Sequence, residues 1–541
     1  MTIRTRLLIL QIIVVLGACG FFFYFGLGSF GLVGADEPRY AQIAREMLAR
    51  HDWIVPTLNG SPWLEKPVLL YWKAMGSYMM YGVYDWAARL PAAAYATGLV
   101  LAIFFFMRRF RAGSELDAAL IAASMAGILA FARAASTDMM ISAPLCVALL
   151  AWWTWHQGGK RLWLAAFYAL LAVGMLAKGP VAPALAVMIV AAYAMVRRDA
   201  KIFLRSLWWP GFLLFLAIAL PWYVAVQIKV PQFFHVFFVE HNLERFGTNL
   251  YQHKQPFWYY IPVFLLSTLP WIVFTLPALV EAVRGGVSRL RGTKSLGSED
   301  RTTNENGEDW LPLFLLLWIG IPVIFFSISR SKLPGYIVPA IPAAAVLTAD
   351  YLHRRQSISR FQLMLHSLLC GAILAGGLLA PWVIGKQPLT EQARTIIIVS
   401  AGVIATLVLV IVRRGGLRVL HFATLVPMVL AIGFLLRPAA SVLDQVLSAR
   451  AVAARMRDLD VPQAPLCVFN LKRDVEYGLN FYRNQPVGRY ERDGVPAGEH
   501  VVITKMGSAG AVQALAGSRQ VTDLGGFPPQ HLEFFLVSNA R

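Results

Sequence analysis

Between Leu7 and Arg437 the chain is a succession of apolar runs, each near the roughly 20 residues a helix needs to cross a bilayer. This pattern decides the fold class before any motif does. The runs fall near 7–30, 88–107, 115–135, 139–156, 162–177, 181–196, 207–227, 258–283, 310–329, 336–352, 361–385, 394–412 and 418–437. With 57% hydrophobic and 15% charged residues among 541, no single soluble core could bury such a chain. The expectation is a polytopic all-α membrane protein of about 13 transmembrane helices over 1–437. Residues 438–541 are soluble in character. Their short apolar runs at Leu466–Phe469, Val501–Thr504 and Glu533–Val537 are separated by helical stretches near 474–482 and 509–515, which predicts a small α/β domain.

A formal charge of +19 would point to nucleic acid in a soluble protein. Here the basic residues sit in short loops between apolar runs, so they report orientation, and no nucleic-acid partner is expected. Alternating the runs puts Arg108-Arg109-Arg111, Lys160-Arg161, Arg197-Arg198-Lys201, Arg284-Arg289-Arg291-Lys294, Arg354-Arg355 and Arg413-Arg414-Arg418 on one side with Arg4 and Arg6. That side is expected to be cytoplasmic. The opposite, outer side receives loops 31–87 and 227–257, the turns at Asp138 and Lys178, the stretch Ser329–Tyr336 and the C-terminal domain. The first run contains Leu16-Gly17-Ala18-Cys19, which resembles a lipoprotein cleavage box, but it stays apolar through Tyr24 and reads as a span. Cys19, Cys146 and Cys370 lie in apolar runs as packing residues, and Cys467 stands alone.

The outer stretch Gly34–Trp72 carries the chemistry. It holds two charged pairs, Asp36-Glu37 and Glu65-Lys66, each followed by a proline. After Pro38, the positions Tyr40, Ile43, Ala44, Met47 and Leu48 recur at helical spacing, predicting a short amphipathic helix lying on a surface. Asp36 and Glu37 are placed to cap its first turn, and a helix N-terminus favours the carboxylate form that a general base needs. Trp53 to Trp63, with Pro56, Asn59, Gly60 and Pro62, reads as an extended segment and turn bringing Glu65 and Lys66 back.

The other outer clusters have plain structural readings beside functional ones. Asp138 can cap a helix at a tight turn, and Lys178 can snorkel before Gly179-Pro180. His235, His241 and His253 lack a metal-binding spacing. In the aromatic loop 233–256, Arg245 stands one turn beyond His241, next to Glu240, so the two can face one partner. Lys332 and Tyr336 are four apart, across Pro334-Gly335. Carboxylates beside Lys66, Arg245 and Lys332 at a bilayer surface suit a lipid-linked phosphate, whose charge cations and tyrosine donors neutralise. If that phosphate leaves from a sugar, one carboxylate can deprotonate an acceptor hydroxyl that attacks the anomeric carbon with inversion. Phosphate, unlike an alkoxide, needs no general acid.

The motifs GADEPRYAQIAREML, DWIVPTLNG, LEKP, STDMM, LAKGP, EHNLERF, QHKQPFWYY and SKLPGY, in that order, resemble the bacterial lipid-phosphate-dependent glycosyltransferases of the membrane-embedded GT-C class. More narrowly they resemble the lipid A aminoarabinose transferase family, related to protein O-mannosyltransferases. The resemblance runs from Met1 to about Ala340. It implies undecaprenyl phosphate as sugar carrier, an inner-membrane protein, a periplasmic active site and C-terminal domain, and lipid A or another envelope glycan as acceptor. By position it implies Asp36 as the catalytic carboxylate, with Glu37 and Glu65 as acidic neighbours. Lys66, Arg245 and Tyr336 then bind phosphate, and Lys178 and Lys332 join them. Asp138, His241 and Glu240 fall to substrate or metal. A divalent ion, which related folds hold, would draw on Asp36, Glu65, Asp138 and His241, and sequence separation does not decide it. The sequence departs from the aminoarabinose enzymes around STDMM and in its C-terminal runs, which leaves sugar and acceptor open. The rival readings are a lipid-linked sugar transporter or flippase, a protein O-glycosyltransferase and a non-catalytic lipid-binding scaffold.

Overall fold

The computed structural model describes residues 2–244, 255–290, 309–459 and 464–539, with backbone alone for 240–244. Among the described residues, ten helices are long and apolar enough to cross a bilayer, or up to twelve if two sharply bent pairs each make one span. Counting both bent pairs and the shorter apolar helix Val181–Val196 brings the number to the expected thirteen or so. The protein is a multi-pass membrane protein with a C-terminal α/β unit.

The bent pairs correct two runs read as continuous. Glu115–Ser124 turns by 63° into Ala126–Ala132, and Phe257–Ser267 by 119° into Ile272–Leu290. Met125 has extended backbone, which frees the Ala126 amide, and Pro270 has no amide to give. The two breaks satisfy each other: Ala126 N–H donates to the Leu269 carbonyl at 2.8 Å, and Trp271 Nε1–H donates to Ser124 Oγ at 2.9 Å. An open backbone group in lipid costs several kcal/mol, so a broken span persists only where such partners exist.

The Asp85–Phe110 helix, 26 residues and about 39 Å long, sets the two ends of the bundle apart. Arg108 and Arg109 mark one end. Beside them Arg111 donates to Asp309 at 2.5 Å and to Asp350 at 2.9 Å, while Arg354 and Arg355 meet Glu281. Basic loops that alternation grouped together are thus joined through shared carboxylates. Arg89, near the start of the same helix, marks the other end.

That other end carries the Asp36–Ala49 helix and a hairpin of β1 (Thr57–Leu58) and β2 (Ser61–Pro62). Asn59 and Gly60 both take positive φ at the turn, and their amides donate to Glu46. Tyr40, Ile43, Ala44 and Met47 are buried as the spacing predicts, with Leu48 half-buried. The helix does not lie on an open surface, however. Arg39 and Gln42 on its polar side are buried as well, because the Arg473–Arg483 helix packs over it.

The C-terminal unit begins with helices Ala440–Leu447 and Ala449–Arg457. Its sheet comprises β3 (Leu466–Val468), β4 (Val487–Arg489), β5 (His500–Lys505), β6 (Gln520–Phe527) and β7 (Leu532–Ser538), in the order β4-β3-β5-β7-β6. β3 is parallel to both neighbours; β5 with β7 and β7 with β6 are antiparallel. The apolar runs predicted β3, β5 and β7. The β4 and β6 edges escaped because one is three residues long and the other is mostly polar, half-exposed chain. All four cysteines are buried and free.

This unit grips the segment before Asp36. Arg450 donates to the Gly28 and Ser29 carbonyls, to Asp85 at 2.8 Å and to Asp444. Asp444 accepts the Gly31 amide, Tyr482 Oη accepts the Leu32 amide, and Val33 forms a bridge with Ser448. Arg450→Ala should weaken this docking by roughly 1–3 kcal/mol, the range for charge-assisted hydrogen bonds. The check is limited proteolysis between the last span and the C-terminal unit, which should quicken at least several-fold.

Candidate active site

Asp36 and Glu37 are adjacent in sequence but about 100° apart around their helix, and their fates diverge. Neither is the cap: Ala35 holds that position and no side chain caps the helix. Glu37 is buried, and each of its oxygens accepts two hydrogen bonds. Oε1 takes Arg89 Nε (2.9 Å) and the Ala135 amide (2.7 Å); Oε2 takes Arg89 Nη2 (2.7 Å) and the Val33 amide (2.8 Å). Arg89 spends its remaining donors on the carbonyls of Leu27, Phe30 and Gly31. Glu37, read from sequence as a member of the catalytic set, therefore has no acceptor capacity left for a substrate. It is a tie holding the loop before the Asp36–Ala49 helix to the turn that leads to Asp138.

Asp36 points outward, its side chain 56% exposed, with Oδ1 2.5 Å from Arg39 Nη2. Arg39 is buried, and its guanidinium lies 4.9 Å from the Trp63 ring, 5.0 Å from Tyr40 and 5.5 Å from Tyr477 of the C-terminal unit. Burial works against that charge, but the Tyr40 hydroxyl oxygen, which accepts from Arg39 Nη2, and the carboxylates of Asp36 and Glu65 outweigh it and hold Arg39 above its ordinary pKa. Burial also pushes the Tyr40 and Tyr71 hydroxyls up, so both stay protonated donors at neutral pH. Among the described residues Arg39 Nε, Trp63 Nε1 and Tyr71 Oη are buried without a hydrogen-bond partner. Buried donors left open in this way mark a place where an acceptor-rich ligand or water completes the structure. Glu65 and Lys66 follow the hairpin, half-buried, with the Glu65 charge felt by Arg39, Tyr40 and Tyr71.

A second cluster gathers around Asp138, in the first turn of Thr137–His156. Lys178 Nζ lies 2.5 Å from its Oδ1 and 4.8 Å from the Tyr336 ring centroid. Gly335 is required there, since a Cβ would come within 2.5 Å of the Asp138 carboxyl carbon. Lys332 is buried, its ammonium donating to the Ser329 carbonyl at 2.5 Å, with no carboxylate within ion-pair reach among the described residues. A buried cation held by a carbonyl is suited to an incoming anion. Glu37, bonded to the Ala135 amide, links the two clusters at the same end of the bundle.

Arg245 lies outside the described residues, as do the side chains of Glu240 and His241. Asp36 and Asp138 are each paired with a cation, and no group of three metal-ligating side chains occurs among the described residues. The carboxylates of Asp36 and Asp138, each already neutralised by a cation, do not fit a divalent ion. Sequence reading passed over Arg39 and Arg89. The first stands three residues after Asp36, where a helix makes the two neighbours, and the second is a charge within an apolar run.

Carboxylates and cations gather at one end of a polytopic bundle, beneath a soluble α/β unit, and similarity to known proteins gives this arrangement its class, the membrane-embedded glycosyltransferases of GT-C type. The family model described as dolichyl-phosphate-mannose-protein mannosyltransferase matches residues 11–237. The undecaprenyl phosphate-alpha-4-amino-4-deoxy-L-arabinose arabinosyl transferase of Aeromonas salmonicida is 30% identical over 85% of this chain and 86% of its own, and that of Aeromonas hydrophila is 30% identical over 87% and 88%. The crystal structure of ArnT from Cupriavidus metallidurans bound to undecaprenyl phosphate superposes with a TM-score of 0.76, covering 98% of each chain at 23% identity. The archaeal oligosaccharyltransferase AglB of Archaeoglobus fulgidus shares the fold more distantly, with a TM-score of 0.51 over 95% of this chain and 71% of its own at 10% identity. The chain belongs to the family of undecaprenyl phosphate-alpha-4-amino-4-deoxy-L-arabinose arabinosyl transferases. It is an enzyme, and the transporter and scaffold readings fall away.

Neutralising the two adjacent carboxylates separates their roles. Glu37→Gln leaves Arg89 buried without its anion and should cost about 3–5 kcal/mol. Asp36→Asn, at an exposed position with Glu65 still near Arg39, should cost under about 1 kcal/mol. Thermal unfolding in detergent should show a large drop for the first and little for the second.

Proposed function

We propose that the protein transfers 4-amino-4-deoxy-L-arabinose, or a close relative of that sugar, from undecaprenyl phosphate to lipid A at the periplasmic face of the inner membrane. Its N-terminus is then cytoplasmic and its C-terminal unit periplasmic. The observation that carries this reading is the pairing of two clusters at one end of the bundle. One presents the exposed carboxylate of Asp36 on Arg39; the other presents Lys332, Lys178 and Tyr336 to an anion. The cationic loops at the far end of the spans support the orientation.

In this mechanism Lys332, Lys178, Tyr336, Lys66 and Arg245 receive the phosphate of the lipid carrier. The bond between the anomeric carbon and the phosphate oxygen breaks as the acceptor oxygen attacks from the opposite face, and the electron pair leaves with undecaprenyl phosphate. The cations take up that charge, so no general acid is needed. With a hydroxyl acceptor, Asp36 removes the proton. With a lipid A phosphate as acceptor the attacking oxygen is already anionic, and the carboxylates of Asp36 and Glu65 then suit the ammonium of the amino sugar. Glu37 does not enter the chemistry; it sets the distance between the clusters.

The test is transfer from synthetic undecaprenyl-phosphate sugars in proteoliposomes, with product mass on lipid A as readout. The intact protein should transfer the amino sugar. Asp36→Asn should lose on the order of 10²–10⁴-fold in kcat with a hydroxyl acceptor. Lys332→Ala should chiefly weaken capture of the lipid phosphate. Transfer to a protein acceptor and none to lipid A would favour protein O-glycosylation, which the match to the mannosyltransferase family keeps in view. Full activity of Asp36→Asn on every acceptor would overturn the assignment of Asp36.

A further inference from the structure

We propose that the C-terminal α/β unit completes the active site by supplying a positioning residue, Tyr477, whose ring holds Arg39 and through it Asp36. The inference rests on the reading of Asp36 as the working carboxylate. Three observations converge on it. The Arg473–Arg483 helix packs on the Asp36–Ala49 helix, where Asn480 Nδ2 donates to Asn59 Oδ1 at 2.8 Å and Arg45 donates to the Phe481 carbonyl at 2.7 Å. The packing puts the Tyr477 ring, 7% exposed, 5.5 Å from the Arg39 guanidinium, with Trp63 and Tyr40 also against it. Arg39 then spends Nη2 on Asp36 and, at a long 3.4 Å, on the Tyr40 hydroxyl, and leaves Nε without a partner among the described residues, so rings supply much of what fixes its plane.

A guanidinium free to swing would take the Asp36 oxygen with it. Misplacing a reacting group by about 1 Å can cost on the order of 100-fold in rate, so a ring that never meets substrate can still govern turnover. The Tyr477 hydroxyl has no hydrogen bond among the described residues, which makes the ring face the working part. The grip of Arg450, Asp444 and Tyr482 on Gly28–Leu32 fixes the same helix from its other end, so the unit brackets Asp36 on both sides.

The experiment compares Tyr477→Phe, Tyr477→Leu and Tyr477→Ala in the full-length protein in proteoliposomes. Tyr477→Phe should match the parent. Tyr477→Leu, which keeps apolar bulk without a π face, and Tyr477→Ala should lose on the order of tenfold to thirtyfold in kcat, with KM for the lipid donor and the melting temperature unchanged. Parent-like kcat in Tyr477→Leu would overturn the proposal by reducing Tyr477 to filler. A second readout needs no turnover: phenylglyoxal labelling of Arg39, followed by mass spectrometry. Arg39 should be protected in the parent and in Tyr477→Phe and labelled in Tyr477→Ala; equal protection in all three would overturn the proposal. Absence of transfer by the parent with every donor would count against the proposed function instead, leaving the labelling result to decide on Tyr477.

Discussion

The buried pair of Glu37 and Arg89 is the interaction on which this end of the bundle, the one that carries the candidate site, depends. Glu37 uses both oxygens twice, and Arg89 directs all its donors at Glu37 and three backbone carbonyls. Two charges taken out of water are stable together only when every lone pair and proton is met, and that condition holds here. The consequence is geometric. One carboxylate fixes the loop 27–33, the start of the Asp36–Ala49 helix and the turn at Ala135 against one transmembrane helix, so Asp36 and Asp138 are carried on a common frame.

Charged groups in this protein divide into those that are buried and mutually paired and those left exposed or held only by a carbonyl. Arg89, Glu37, Arg111 and Asp350 are buried and mutually paired, and their task ends with the fold. Asp36 is exposed, and Lys332 is buried against a carbonyl without a carboxylate of its own among the described residues. Lipid-phosphate chemistry asks for that division: a carboxylate reachable from outside and cations whose neutralisation is left to the substrate. The paired helix breaks at Met125 and Pro270 show the same economy in the backbone, the Ala126 amide freed at one break meeting the Leu269 carbonyl at the other.

The C-terminal unit reads differently in space than along the chain. As sequence it is a soluble tail of modest apolar content with no catalytic motif. In the structure its Arg473–Arg483 helix covers the polar side of the Asp36–Ala49 helix and turns an amphipathic surface helix into a buried one. Its Arg450 and Asp444 hold the chain just ahead of that helix, more than 400 residues earlier in sequence. The candidate site thus draws on two parts of the chain that composition would have separated.

The sequence alone determined the membrane class, the placement of nearly every apolar helix, the three inner strands of the C-terminal sheet and the residues Asp36, Glu65, Asp138, Lys178, Lys332 and Tyr336 as candidates. Hydrophobic length and periodicity are local properties, and a charge interrupting them is visible wherever it stands. Which neighbour of Asp36-Glu37 faces inward was decided by tertiary structure, because a helical pattern gives the angle between two side chains and not the direction of either. The same holds for Arg39 and Arg89, whose roles depend on rings and carbonyls far away in the chain. The breaks at Met125 and Pro270 were equally hidden: apolar residues look alike whether a helix continues or stops, and only a partner across the bundle makes stopping affordable in lipid.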